Sequence, residues 1–428
     1  MNPMELLIRR GRLLDPASGR DGIFDILIDD GVVRRIAKTI SRRKSRVIDA
    51  RGTFVFPGLV DMHCHLREPG REDEETVVSG SRAAVAGGFT TVCCMPNTCP
   101  ALDSRVAIRF VSDRARSASC EVLPIGCITM NREGKSLAPY GEMIEAGAVG
   151  FSDDGRCVMD SLVMRRALAY TKIFGKPVIS HAEDETLSRN GVMNEGALSA
   201  KLGLQGIPCQ AEEIMVARDC ALAGLTGGVI HIAHVTTAGS VDIVRKAKKK
   251  NPRVTCEVTP HHLVMTEDAV TGYDTRAKVS PPLRTRRDVD ALVRGVKDGT
   301  IDCIVTDHAP HAEEEKEAGF DHAPFGMIGL ETALPLVMTL RERGVSMESI
   351  VSALTVRPAG ILGIERGSVS AGKRADLVIF DPAREWTYRA RDVRSKSANS
   401  PFIGRPLTGK VVMTVYRGAI VFQDESFP

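Results

Sequence analysis

Two histidines and an arginine at alternate positions are the first residues in this 428-residue chain that could do chemistry. They lie in the stretch DMHCHLREP, which covers positions 61–69. Side chains at positions i and i+2 of a β-strand point to the same face, so His63 and His65 are predicted to bind one metal ion. Imidazole suits Zn²⁺ and similar divalent cations. Arg67 is expected on the same strand face, where its guanidinium can bind a carboxylate through two hydrogen bonds.

Other histidines and carboxylates follow further apolar runs of the chain. Nine of the ten histidines lie at or near the end of such a run, and only His322 lies well outside. Random placement would scatter histidines through helices and loops, so the pattern predicts a metal centre. The residues from the later runs can complete one metal site with His63 and His65 or bridge two. The candidates after the first run are Asn97, Asp153, Asp154, His181, His234, His261, His262, Asp307, His308 and His311.

Some of these residues compete for the same role. His231 and His234 have opposite parity on a regular strand, so only one can face the site, and His234 is preferred because it is nearer the strand end. Asp153 and Asp154 are equal candidates on spacing alone. The other histidines are interpreted as structural, pocket-wall or loop-supporting residues: His231, His261, His262 and His308.

Eight short apolar runs, most of them separated by helical patterns, are the elements that position these residues. Such runs are typical of buried parallel strands joined by crossover helices. They predict an α/β fold with a (β/α)8 barrel, whose active site lies at the C-terminal ends of its strands. The runs cover residues 53–63, 88–95, 121–128, 147–152, 176–180, 227–234, 253–260 and 302–307.

The two ends of the chain have a different pattern, rich in short alternating strands and glycine turns. Asp30-Gly31 is a hairpin signal between two such strands. We predict that both termini build one small β-sandwich domain, from residues 1–55 and 366–428, around a metal-dependent barrel at 56–365.

Composition excludes several classes of function. The net charge of +3 is too balanced to indicate nucleic acid or a membrane surface as a partner. No run approaches the roughly 18 apolar residues of a membrane-spanning helix, and the N-terminus lacks a signal-peptide pattern. Eleven scattered cysteines without a C-x-x-C pair indicate reduced thiols, so a cytoplasmic location is predicted.

Seven motifs in order resemble bacterial class I dihydroorotases of the amidohydrolase superfamily, and the similarity covers nearly the whole chain. They are FPGLVDMHCHLREPG, AGGFTTVCCMPNT, FSDDG, SHAED, IAHVTT, SPPLR and VTDHAPH. The resemblance implies reversible hydrolysis of the cyclic amide of (S)-dihydroorotate to N-carbamoyl-L-aspartate, the third step of de novo pyrimidine biosynthesis. It also implies zinc, one or two ions per subunit, a homodimer, and in some members association with aspartate transcarbamoylase.

The resemblance further assigns roles to residues by motif position. Asp154 is chosen over Asp153, because the second aspartate of D-D-G bridges the metals in this family. Asp307 is the catalytic aspartate, which fits a residue that takes a proton from water and returns it to the leaving nitrogen. The implied metal ligands are His63, His65, Asp154, His181, His234 and Asp307. The implied substrate contacts are His65, Arg67, Asn97, Ser280, His311, Phe325 and Gly326.

Two departures from related patterns bear on these expectations. Many superfamily members carry a carboxylated lysine after strand four, and no lysine occurs in GAVGFSDDGRC at 147–157. Ser280 stands where the family usually has asparagine, and a hydroxyl lacks the paired donor and acceptor of an amide. Residues 315–326 are open to two interpretations, as a mobile lid or as a surface loop.

Two rival functions follow from the same residues. One is another cyclic amidohydrolase such as a hydantoinase, against which the missing lysine and the presence of Arg67 and Asn97 count. The other is a non-catalytic, dihydroorotase-like partner of aspartate transcarbamoylase. Such chains have lost metal ligands, whereas every expected ligand position is filled here.

Overall fold

A computed structural model describes residues 5–42, 45–251 and 253–427, which form an α/β protein. The strands are β1 (Leu6–Asp15), β2 (Arg20–Asp29), β3 (Val32–Ala37), β4 (Arg46–Asp49), β5 (Phe54–Pro57), β6 (Leu59–Cys64), β7 (Phe89–Cys94), β8 (Glu121–Pro124), β9 (Phe151–Ser152), β10 (Val178–Ser180), β11 (Met193–Asn194), β12 (Gly206–Ile207), β13 (Ile230–Ile232), β14 (Val254–Val258), β15 (Cys303–Ile304), β16 (Leu377–Thr387), β17 (Pro406–Tyr416) and β18 (Ala419–Gln423).

Helices separate most of the strands in the middle of the chain. The α-helices are α1 (Val77–Ala86), α2 (Arg105–Arg114), α3 (Tyr140–Glu145), α4 (Ser161–Thr171), α5 (Ala197–Leu202), α6 (Cys209–Thr226), α7 (Ala238–Lys248), α8 (Pro260–Val264), α9 (Arg286–Asp298), α10 (Glu313–Lys316), α11 (Ala333–Met338), α12 (Met347–Leu354) and α13 (Val356–Leu362). Short 3₁₀ turns cover Ala115–Ser117, Met130–Arg132, Lys172–Phe174, Glu267–Val270, Thr275–Ala277, Thr339–Arg343 and Ala390–Asp392.

Eight parallel strands lie in the middle of the chain. Seven of them lie within their predicted runs, and β6 extends one residue beyond its run, to Cys64. They pair in the orders β6-β7-β8 and β15-β14-β13-β10-β9. Isolated parallel bridges, Gly126 with Phe151 and Cys64 with His308, join these two sheets at both of their edges. Several strands are shorter than their runs, and β9 and β15 are each two residues long.

Strands from both chain ends lie in one sheet, with the order β18-β17-β16-β5-β1-β2-β3 and with β4 paired to β1. The predicted hairpin at Asp30-Gly31 is confirmed. It joins the antiparallel strands β2 and β3, and both turn residues have positive φ, +50° and +71°. This is the left-handed backbone that an Asp-Gly hairpin turn requires.

The prediction of a single strand over residues 53–63 is wrong. Strand β5 pairs with β1 and β16 of the terminal sheet, whereas β6 pairs with β7 of the parallel strands. Gly58 separates the two, and a Cβ there would lie 2.1 Å from the Thr90 hydroxyl oxygen. The chain therefore passes between the sheets at a point where only glycine fits.

Two apolar cores match the two sheet systems. The largest packs the helices against the parallel strands, and a separate one lies in the terminal sheet with residues such as Ile26 of β2, Leu377 of β16 and Val415 of β17. Within the described ranges, no helix is both long and apolar enough to cross a membrane.

Candidate active site

A cavity of about 440 Å³ opens where the parallel strands end. Of the predicted site residues, all but His63 line it, and His63 is fully buried. The cavity is also lined by four residues that the sequence analysis did not predict there: Gly155, Glu183, Ala309 and Pro324. The structure thus brings together residues that are up to 263 positions apart in the chain, from His63 to Gly326.

Asp154 lies at the centre of two groups with metal-ligand spacing. The first is His63, His65 and Asp154, and the second is Asp154, His181 and His234. The Asp154 carboxylate oxygens are 3.2 Å from His63 Nε2, 3.5 Å from His65 Nε2 and 3.5 Å from His181 Nδ1. Burial raises the pKa of Asp154, but the surrounding imidazoles, His63 first, lower it more, so the carboxylate is ionised.

Orphaned buried atoms show that this cluster suits a metal ion. His63 Nε2 and Asp154 Oδ1 are buried, face one another, and have no hydrogen-bond partner among the described residues. A buried polar atom without a partner costs about 1–3 kcal/mol, and a divalent cation bound between these donors would remove that cost. Imidazole nitrogens and a carboxylate are the donor set that Zn²⁺ prefers. The cluster therefore offers the ligand atoms of a metal site.

The neighbouring carboxylate is turned away from the metal cluster. Asp153 Oδ1 accepts hydrogen bonds from the backbone N–H groups of Ile128 (2.9 Å) and Thr129 (3.0 Å), and its other oxygen accepts from the Thr129 hydroxyl. Asp153 therefore ties the loop after β8 to the end of β9. The geometry agrees with the choice of Asp154 as the ligand candidate.

Buried hydrogen bonds set the orientation of the first two histidines. Glu257 Oε1 lies 2.6 Å from His63 Nδ1, and Asn97 Oδ1 lies 2.8 Å from His65 Nδ1. Each acceptor binds Nδ1 of its histidine and so orients Nε2 toward Asp154 and Asp307. The sequence analysis missed Glu257, although a glutamate inside the apolar run RVTCEVTP is a signal that could have found it.

Replacing Glu257 by glutamine should weaken metal binding about 10- to 100-fold, the usual effect of losing such a partner. Glu257 is fully buried, and its other oxygen is 3.0 Å from His231 Nε2. Burial raises its pKa, but His63 and His231 bring the pKa down to about 2, so the wild-type residue is a carboxylate. Competition against a chromophoric chelator measures the affinity.

A matched control for this variant is Glu121→Gln. Glu121 is also largely buried and paired, with Arg366 at 2.6 Å, but it begins β8 at the opposite end from the cavity. This control should keep wild-type zinc affinity. Equal zinc affinity in Glu257→Gln and wild type would show that Glu257 does not support His63.

Three residues of the site have the left-handed backbone that non-glycine residues rarely adopt. Their φ angles are +61° at Arg67, +29° at His234 and +46° at Asp307. Each costs roughly 1–3 kcal/mol and persists only where surrounding structure holds it. At Asp307, the backbone N–H donates to the His63 carbonyl at 3.0 Å. With this backbone conformation, the side chains of all three residues line the cavity.

The expectation that Arg67 shares a strand face with the histidines is wrong. Strand β6 ends at Cys64, so Arg67 lies in the loop that follows the strand. Its positive φ sets the direction of the side chain there. Arg67 nevertheless lines the same cavity, because its Nε donates to the Pro310 carbonyl at 3.0 Å and is 3.1 Å from Glu74. Burial lowers the pKa of Arg67, while Glu74 counters this shift, so the guanidinium stays charged.

The four histidines interpreted as structural, pocket-wall or loop-supporting residues are buried, and three of them are held by hydrogen bonds. His231 lies between Glu257 and Thr255, His262 Nε2 is 2.9 Å from the Pro281 carbonyl, and His308 Nε2 is 3.3 Å from Glu75. The contact of His262 fixes the turn that presents Ser280 to the cavity.

The segment after β15 covers one side of the cavity through Phe325 and Gly326. Two lysines hold it: Lys278 Nζ donates to the Phe320 carbonyl at 2.6 Å, and Lys316 Nζ donates to the Pro324 carbonyl at 2.7 Å. Burial lowers the pKa of Lys316 to about 7. The segment is packed against the protein in this conformation, and both interpretations, a mobile lid and a surface loop, stay open.

Known proteins similar to this chain place it in a family. A family model described as "Dihydro-orotase-like" matches residues 52–240, and one described as "Amidohydrolase family" matches residues 217–422. A "Dihydroorotase" from Geobacter sp. (strain M21) is 50% identical, over 98% of this chain and 100% of the relative. This chain belongs to the dihydroorotase family of the amidohydrolases. A further dihydroorotase, from Syntrophus aciditrophicus (strain SB), is 47% identical over 99% of this chain and 100% of that relative.

Solved structures outside the dihydroorotases share the fold. The L-hydantoinase (dihydropyrimidinase) from Arthrobacter aurescens has a TM-score of 0.87 at 26% identity, covering 99% of this chain and 97% of that chain. The dihydropyrimidinase from Brevibacillus agri NCHU1002 has a TM-score of 0.85 at 24% identity, covering 99% and 96%. Similarity to structures this distant in sequence shows that the fold is shared. Membership of the dihydroorotase family is shown by the full-length relatives.

Proposed function

We propose that this protein is a zinc-dependent dihydroorotase, which reversibly hydrolyses (S)-dihydroorotate to N-carbamoyl-L-aspartate in de novo pyrimidine biosynthesis. The observation that carries the proposal is the placement of Arg67 in one cavity with the Asp154-centred cluster. An acidic cyclic amide needs a cation for its carboxylate and a metal beside its carbonyl. Near-full-length identity of about 50% to dihydroorotases supports the same substrate.

The residues of the cavity divide into those that bind the substrate and those that act on it. Arg67 offers two or more N–H donors to the substrate carboxylate. Asn97 is anchored through its Oδ1 to His65, so its amide N–H₂ is free to donate to the ring. We assign the other substrate contacts to His65, Ser280, His311, Phe325 and Gly326, all of which line the cavity.

Zinc, when bound, lowers the pKa of water to about 7 and polarises a carbonyl. Asp307 Oδ1 lies 3.1 Å from His65 Nε2 and 3.6 Å from His63 Nε2, beside the cluster. Burial raises its pKa, yet His63 and His65 lower it more, so Asp307 is ionised. We assign Asp307 the transfer of a proton from the attacking water to the leaving ring nitrogen.

One or two zinc ions per subunit are proposed, and the two groups that include Asp154 would hold them. The support is that His63 and His65 form one group with Asp154, while His181 and His234 form another. Asp154 would supply the carboxylate ligand that a carboxylated lysine supplies in many other superfamily members. Asp307 completes the proposed ligand set.

We further propose that the parallel strands form a closed (β/α)8 barrel over residues 59–365. It starts later than the predicted residue 56, because β5 pairs with β1 and β16 of the terminal sheet. The two edge bridges support closure, as does an apolar cluster that draws on β6, β7, β10 and β15. Residues 1–57 and 366–428 are proposed as one β-sandwich domain. Its support is the terminal sheet, which branches at β1 and encloses its own apolar cluster.

Activity of the zinc-loaded protein on dihydroorotate, compared with hydantoin, tests the proposed substrate. We expect turnover of dihydroorotate and little or none of hydantoin, because hydantoin has no carboxylate for Arg67. An enzyme that opens hydantoin and leaves dihydroorotate untouched would overturn the proposal and favour the function named for the structural neighbours. The homodimer, the association with aspartate transcarbamoylase and the cytoplasmic location stay predictions.

A further inference from the structure

The buried side-chain amide of Asn399, in the C-terminal part of the chain, forms hydrogen bonds to two loops that line the cavity. Asn399 Oδ1 accepts from the backbone N–H of His311 at 3.2 Å. Its Nδ2 donates to the carbonyls of Ala309 (3.0 Å) and Gly326 (3.2 Å). The backbone carbonyl of Asn399 also accepts from the N–H of Ile328 at 3.1 Å.

These contacts fix the direction of the amide. A flipped side chain would place its N–H₂ against the His311 N–H and its oxygen against two carbonyls. Only a group with one acceptor and two donors satisfies all three partners. Asn399 is 4% exposed, so water cannot easily replace a lost partner.

The loops that Asn399 joins carry residues assigned to the substrate. Ala309, His311 and Gly326 line the cavity, and His311 Nε2 lies 2.8 Å from the Phe325 carbonyl. The same C-terminal segment is bound to the loop after β6, because the Ser397 hydroxyl donates to the Glu74 carbonyl at 2.8 Å. Segment 395–399 therefore braces the loops of the first and last parallel strands from outside the cavity.

We propose that Asn399 is a positioning residue for substrate binding. Its amide sets the separation between the His311 loop and the Phe325-Gly326 turn, and so the width of the cavity at that side. Asn399 does not line the cavity itself, so its effect passes through the backbone groups it binds. This inference rests on the proposed function for the identity of the substrate, and on the hydrogen bonds alone for the role of the amide.

The variant Asn399→Asp tests the proposal, since it keeps the shape and replaces two donors by an acceptor. We expect KM for dihydroorotate to rise roughly 5- to 100-fold, because the carbonyls of Ala309 and Gly326 lose their donors and the residues beside them no longer meet the substrate in the right geometry. The change in kcat should be much smaller, and zinc content should be unchanged. The ratio of variant KM to wild-type KM should fall at lower pH, where the introduced carboxylate regains a proton and one donor.

Two further variants separate positioning from general stability. Asn399→Ser shortens the side chain, so it can no longer join the two loops, and it adds no charge. It should also raise KM, but the ratio of its KM to the wild-type KM should not change with pH. Asn194→Asp alters an equally buried amide that contacts Arg284 and Glu267 and does not line the cavity. It should lower the melting temperature and leave KM unchanged.

The proposal is overturned if both Asn399 variants keep wild-type KM while their melting temperatures fall as in Asn194→Asp. The wild-type enzyme in the same assay separates this outcome from failure of the proposed function. If wild type opened hydantoin and not dihydroorotate, the substrate assignment would fail, and the KM comparison would be made on hydantoin with the same expectations.

Discussion

Asp307→Asn should lower kcat for dihydroorotate hydrolysis by roughly 10²–10⁴-fold, the range of a lost general acid/base. Asparagine keeps the shape of the side chain and an oxygen for the cluster, but it cannot take up and return a proton. The five other proposed ligands are untouched, so the variant should retain most of its zinc. Steady-state kinetics and elemental analysis of the same preparation test both expectations.

Asp321→Asn is the control for this variant. Asp321 is exposed in the segment that covers the cavity, and it contacts Lys278 only through its backbone carbonyl. Its replacement should leave kcat and zinc content at wild-type values. Near-normal turnover by Asp307→Asn would remove Asp307 from the proton transfer, and a zinc-free variant would show that it acts mainly as a ligand.

The second large effect is expected from Arg67→Met, which should lower kcat/KM for dihydroorotate by about 10²–10³-fold. Methionine keeps much of the length and volume of the side chain but removes the cation that meets the substrate carboxylate. Zinc content should not change, because Arg67 belongs to neither metal group. For a cyclic amide without a carboxylate, the variant and wild type should differ far less.

Arg71→Met is matched to this variant. Arg71 lies four residues on and pairs with Glu74 and Glu315, but it is 40% exposed and does not line the cavity. Its replacement should have little effect on kcat/KM. Unchanged kcat/KM in Arg67→Met would show that Arg67 does not bind the substrate carboxylate. It would also remove the main argument for dihydroorotate over cyclic amides without a carboxylate.

Much of the site was predictable because parallel strands end at one edge. Histidines and aspartates that follow apolar runs must meet there, whatever the lengths of the helices between them. This reasoning predicted that His181 and His234 would lie near His63. It could not choose between Asp153 and Asp154, because that choice depends on donors at Ile128 and Thr129 that only the folded loop presents.

Other features of the site depend on contacts that a linear pattern does not reveal. Arg67 reaches the cavity through a left-handed backbone rather than a continued strand, and strand alternation cannot predict that turn. Asn399 is 88 positions from the His311 N–H that it binds. Glu257 was visible as a charge within an apolar run, but its partner His63 is 194 positions away.

The most direct test of the account measures zinc content and dihydroorotate turnover on one preparation, before metal removal, after it, and after zinc is returned. We predict that the purified protein contains zinc and hydrolyses dihydroorotate. Chelation should abolish turnover, and added zinc should restore it in proportion to the metal bound. A folded protein that binds no zinc and gains no activity on reconstitution would contradict the account and support a non-catalytic role.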